Sequence, residues 1–154
     1  MSKIRTIKPS FFTSTTLAKC SRDARLVFVG LFTESDDDGN SVDLPKRLAG
    51  TLFPLDEDID ARRVTEWVDE LVAVGAVERY SVDGAAYLHI PTWHLHQRIS
   101  HPTPSRIPMP PGKKPRSLGK TPGPLGKKDE GIGIGIGIGS GSGSGSEVEA
   151  PPPD

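Results

Sequence analysis

Residues 61–90 read ARRVTEWVDELVAVGAVERYSVDGAAYLHI. Val64, Trp67, Val68, Leu71 and Val72 recur at helical spacing and make one apolar face. Asp56 to Asp60, just upstream, supply several N-cap candidates. Gly75 stands where a glycine ends a helix. Ala76 to Val82 then reads as a strand, Asp83-Gly84 as a two-residue hairpin turn, and Ala86 to Ile90 as the returning strand. This stretch therefore predicts a helix running straight into a β-hairpin.

Two further helices are predicted upstream. Ser21-Arg22-Asp23-Ala24 has a serine N-cap and an aspartate in the first turn. Ala24, Val27, Phe28 and Leu31, widened by Leu26, Val29 and Phe32, carry a buried helix to about Glu34. The run Asp36 to Asn40 is a turn signal, and Ser41 to Leu44 fits a short strand. Pro45 suits the first position of a second helix through Leu48 and Leu52, broken by Pro54. At the start of the chain, Lys3 to Lys8 alternates polar and apolar residues, which predicts a short strand ending at Pro9, with Phe11 and Phe12 plugging the core. The predicted order is strand, helix, short strand, helix, helix, hairpin. That is the topology of a winged helix-turn-helix, an α+β domain over residues 1–101.

Composition changes beyond that domain. All nine aromatic residues lie between Phe11 and Trp93, and 23 of the 32 glycines and prolines fall in residues 102–154. Such a segment buries too little apolar surface to offset its ordering entropy, so a disordered low-complexity tail is expected there. Charge divides the chain in the same way. Residues 1–101 carry 12 basic and 15 acidic side chains, residues 102–128 carry seven basic and no acidic ones, and residues 129–154 carry five acidic and no basic ones. The near-neutral total thus conceals a Pro/Gly-rich basic arm, the footprint of a segment that meets phosphates. The acidic end includes a linker from Gly131 to Gly145 that alternates glycine with isoleucine and then with serine.

Several function classes are disfavoured. Cys20 is the single cysteine, so no intramolecular disulfide forms and a reducing cytoplasm is the simplest home. No signal peptide or membrane span is expected, because no window approaches 18 apolar residues. Aligning Gly39 with the sixth position of a calcium loop puts Pro45 at the twelfth, where a bidentate glutamate is required. His94 and His96 lack the companions of a tetrahedral metal site, so Trp93 is expected in the core with the histidines hydrogen-bonded or solvated. Gly119-Lys120-Thr121 lacks the earlier glycine of a phosphate loop, and Pro122 blocks the helix that must follow. No nucleophile–base–acid set is present. The expectation is a protein that is not an enzyme and needs no cofactor or metal.

Four stretches carry a family resemblance: Ile4-Arg5-Thr6-Ile7-Lys8-Pro9-Ser10-Phe11-Phe12, Cys20-Ser21-Arg22-Asp23-Ala24-Arg25-Leu26, Asp37-Asp38-Gly39-Asn40 and Trp93-His94-Leu95-His96-Gln97-Arg98-Ile99. Over about residues 1–108 the chain resembles actinobacterial phage and prophage replication initiators of the replisome-organiser type, and the N-terminal winged-helix domain of DnaD-like helicase loaders. The resemblance implies a role in DNA replication initiation in the host cytoplasm. Double-stranded DNA is the implied partner, with a replicative helicase or another replisome protein beside it, and no membrane.

A winged helix reads DNA with its third helix in the major groove and its hairpin on the backbone or minor groove. The expected DNA contacts are Arg62, Arg63, Lys46, Arg47 and Arg79 in the folded domain. The arm adds Arg106, Lys113, Lys114, Arg116, Lys120, Lys127 and Lys128. Two alternatives stand beside this reading. Arg62 and Arg63 could instead be solvated partners of Asp58 and Glu66. The acidic folded part could serve as a protein-interaction module, for self-association into a homo-oligomer or for helicase docking. A transcriptional regulator would use the same fold.

Overall fold

In the computed structural model, residues 2–115 are described. Among them, four α-helices and one three-stranded antiparallel sheet make a mixed α+β architecture. Helix α1 spans Arg22–Glu34, strand β1 Asn40–Val42, helix α2 Pro45–Leu52 and helix α3 Ala61–Ala73. Strands β2 (Glu78–Val82) and β3 (Ala85–His89) form the hairpin, and the one-turn helix α4 spans Trp93–His96. Two 3-10 turns, Pro9–Phe11 and Leu17–Lys19, precede α1. Arg116, Lys120, Lys127, Lys128, the Gly-Ile/Gly-Ser repeat and the acidic end lie outside the described residues.

Local signals place most of these elements. The Ser21 hydroxyl accepts the Ala24 amide and caps α1, while Asp60 accepts the Arg63 amide and caps α3. Pro45 opens α2, and Gly75 follows the end of α3. Asp83 and Gly84 both take positive φ, 51° and 79°, as the tight turn between β2 and β3 requires.

The sheet order is β1-β3-β2, so the short first strand pairs with the far strand of the hairpin. Asn40 faces His89 and Val42 faces Tyr87 across one ladder, while Tyr80 faces Tyr87 across the other. Leu88 and Ile90 join Phe28, Leu31, Phe32, Val64 and Leu71 in the core, against which α1 and α3 pack. Burial of these side chains is the main stabilising term. Gly39 has φ +82°, and a Cβ there would lie 2.7 Å from Trp93. The residue is therefore held to glycine by both backbone and space.

The start of the chain departs from expectation. Residues 3–8 form no strand: Ile4 and Ile7 are exposed, and Lys3 and Arg5 are the part-buried ones instead. Arg5 donates to the carbonyls of Phe32 (3.2 Å) and Ser35 (3.0 Å) and to the Asp37 carboxylate (2.8 Å). The Thr6 backbone is bracketed by the Gln97 side-chain amide. A carboxylate and carbonyls distant in sequence thus fix this segment, where a ladder partner was expected. Phe11 enters the core as expected, but Phe12 stays exposed. Among the described residues no helix is long and apolar enough to cross a membrane.

Candidate nucleic-acid interface

The outer side of α3 carries the residues expected to meet DNA first. Arg62 Nη1 lies 2.9 Å from Glu66 Oε1, one helical turn on, with the two side chains 71% and 49% exposed. Arg63 is exposed and, among the described residues, has no ion pair. The Arg63 amide, with the Arg62 charge, holds the Asp60 carboxyl below its ordinary range.

Two acidic residues of α3 turn out to tie elements together. Glu70 accepts the Ser21 amide at 2.6 Å and the Ser21 hydroxyl at 2.9 Å, fastening the start of α1 to α3. Asp69 pairs with Arg79, which also reaches Asp43 at 2.8 Å. Arg79 therefore clamps β2 to α3 and to the turn between β1 and α2. The hairpin tip, Ser81 to Gly84, presents Asp83 and no base.

The other expected cations lie elsewhere. Lys46 is exposed in the first turn of α2, and the Arg47 side chain lies 3.9 Å from Glu34. Residues 103–113, assigned by composition to the basic arm, run against the folded unit. The Thr103 amide donates to Asp37 (2.8 Å), Ser105 to Asp36, the Asn40 amide to the Met109 sulfur (3.1 Å), and the Tyr80 hydroxyl to the Pro108 carbonyl (2.8 Å). Lys113 meets Glu78 at 2.5 Å. Because Asn40, Glu78, Tyr80, Tyr87 and His89 share one face of the sheet, this segment covers that face. Lys114 lines a small cavity beside His89 and His94. Arg106 joins Arg47 and Lys3 around a larger cleft. Lys3 was not among the expected contacts, and no local pattern marks it; only the folded chain brings it beside Arg47.

Two of the histidines, with Asp36 and Asp37, have structural partners. His89 Nδ1 lies 2.7 Å from Asn40 Oδ1, and burial, reinforced by Lys113, pushes the imidazole below its ordinary pKa. His96 packs against Phe28 and Phe32 and meets the Thr92 hydroxyl at 3.0 Å, and burial lowers it as well. Trp93 is buried, its indole N–H donating to the Asp37 carbonyl at 2.9 Å. Asp36 accepts the amides of Asp38 and Asn40, each at 2.9 Å, closing the turn before β1.

The Asp37 carboxylate accepts hydrogen bonds from Lys3, Arg5 and the Thr103 amide. Burial would raise its pKa, but Lys3, the Thr103 amide and Arg5 outweigh that and hold it at about 2. The Cys20 thiol is buried and pushed up by that burial, the opposite of an activated nucleophile. Among the described residues no three metal-ligating side chains gather. No family model, no curated protein and no solved structure matches the chain.

Proposed function

We propose that the chain is a DNA-binding protein of the phage replication-initiator type, acting through a winged helix-turn-helix and a basic arm, and that it is not an enzyme. The observation that carries this reading is the order α1-β1-α2-α3-β2-β3 together with the sheet order β1-β3-β2 and the tight Asp83-Gly84 turn. In that arrangement α3 is the groove-reading helix and the hairpin is the wing. Arg63 and Lys46 are the folded-domain cations best placed for duplex contacts, with Arg62 available once it leaves Glu66. The bases from Arg106 to Lys128 add sequence-blind, salt-sensitive affinity.

The test is duplex binding by the full chain across a salt series, with a phage origin fragment against random sequence. Reversing Arg62 and Arg63 together to glutamate should weaken origin binding at least about tenfold. Unchanged binding would remove α3 from the interface.

A second reading has one observation in its favour: the ion pairs Arg62–Glu66 and Arg79–Asp69 leave α3 with little free positive charge. Under it the folded unit docks a helicase or a second copy of itself, and only the arm touches DNA. Salt-dependent binding without preference for the origin, unaffected by the α3 reversal, would favour that reading. A transcriptional regulator with the same fold would prefer an operator over an origin.

A further inference from the structure

Three cations from separate stretches of the chain meet at one place. Lys3, Arg47 and Arg106 line a cleft of about 640 Å³, to which the end of α1, strand β1 and the first turn of α2 also contribute. Leucine at the N-cap of α2 has no atom to cap with, so the amides of Lys46 and Arg47 lack helical partners. Ser35 lines the cleft too. It is 2% exposed, and its hydroxyl has no hydrogen-bond partner among the described residues. Buried hydroxyls without partners are uncommon.

Two carboxylates share the lining, and both are engaged. Asp36 accepts two backbone amides and the Ser105 hydroxyl. Glu34 accepts the Ser2 hydroxyl and faces Arg47. Lys3 is bonded to Asp37, whereas Arg106 has no ion pair among the described residues. Ser105, one residue before Arg106, is fixed on Asp36 and on the Ile107 backbone, which holds Arg106 at the cleft.

We propose that this cleft seats a phosphate group, bound by Arg47 and Arg106, with Lys3 on its lining. The phosphate comes from a DNA backbone or from a free nucleotide or phosphate ion. The first source rests on the DNA-binding reading above; the phosphate chemistry does not. The segment expected to be a loose arm thereby contributes its first cation from a fixed position.

The test uses the isotope-labelled full chain, following the backbone amides of Ser35, Arg47 and Arg106 by NMR while titrating inorganic phosphate in one series and a short random duplex in another. Both probes should shift these amides. R47Q/R106Q should weaken duplex binding about five- to tenfold and reduce the salt slope by about one. S105A keeps every charge yet frees Arg106, and should reproduce part of the loss, about two- to threefold.

A duplex that shifts these amides without a response to phosphate makes the backbone the source and supports the seat. Phosphate binding without duplex binding also supports the seat and overturns the DNA reading. Duplex binding that leaves these amides and the R47Q/R106Q affinity unchanged overturns the seat while DNA binding stands. No response to either probe overturns it as well.

Discussion

The outer face of α3 and the cleft beside α2 are built from the same residue types drawn from very different sequence distances. On α3 most partners stand within helical reach or on the adjoining strand, and only Arg63 is left without an ion pair among the described residues. Arg62 meets Glu66, and Arg79 meets Asp69. At the cleft, cations arrive from residues 3, 47 and 106: Lys3 pairs with Asp37, Arg47 faces Glu34 at 3.9 Å, and Arg106 has no ion pair among the described residues. Folding therefore brings together at the cleft three cations that lie far apart in the sequence. Burial differs too. The Arg5–Asp37 pair beside the cleft is 7% and 5% exposed, Arg79–Asp43 is 33% and 9%, and Arg62–Glu66 is 71% and 49%. An ion pair cut off from water becomes structural, whereas one in water remains available to a ligand.

That gradation is open to attack from its steep end. Asp37→Ala would strand Arg5 under Trp93 and release both Lys3 and the Thr103 amide. It should destabilise the full chain by about 3–5 kcal/mol in urea unfolding. A loss below about 1 kcal/mol would place the Asp37 cluster in the same class as the α3 pairs.

Acid titration probes the same carboxylate without mutation. Its folded pKa is held at about 2 against 3.8 for the free group. A depressed folded pKa stabilises above the unfolded value and loses that contribution as pH falls through the folded one. About 2 kcal/mol should therefore disappear between about pH 4 and pH 2. Unfolding curves of Asp37→Asn should lack that step, since the variant has no carboxyl to titrate there.

The intermediate case is Arg79→Gln, which unclamps β2 from Asp43 and Asp69. A cost of about 1 kcal/mol is expected, discounted because Asp69 and part of Arg79 reach solvent. Thermal unfolding should show it, with amide exchange increasing along β2. Smallest of all, Arg62→Gln should change stability by about 0.3 kcal/mol. If it costs as much as Arg79→Gln, the α3 face is more rigidly paired than its exposure implies, and Arg62 is less free to leave for a phosphate.

Much of the fold could be read locally because its signals act within a few residues. The Ser21 and Asp60 caps, Pro45, Gly75 and the Asp83-Gly84 turn place α1, α2, α3 and the hairpin. The N-terminal segment misled for a physical reason. Its alternation is real, but Asp37, the Phe32 and Ser35 carbonyls and Gln97 reward the polar side chains more than a core rewards Ile4 and Ile7. The candidate site was harder to read. Arg47 and Arg106 could be picked out as bases, but their meeting with each other and with Lys3 depends on distant stretches of the chain, which no period or motif encodes. Nothing local marks Glu70, whose bonds to Ser21 make it a tie between two helices.

The outer face of the sheet also gives the molecule two optical signals. Its two tyrosines, Tyr80 and Tyr87, stack 5.4 Å apart beneath residues 108–109, while its two tryptophans, Trp67 and Trp93, are buried in the core. Burial, reinforced by Asp36, pushes the Tyr80 phenol well above its ordinary range. Any ligand or substitution that lifts residues 103–113 should bring phenolate absorbance to lower pH and change emission at Trp93, which shares a cavity with Met109 and Lys113, while leaving Trp67 buried. Detachment of the covering segment, which spares Trp67, and loss of the core, which exposes it, can thus be told apart in one cuvette, without a label.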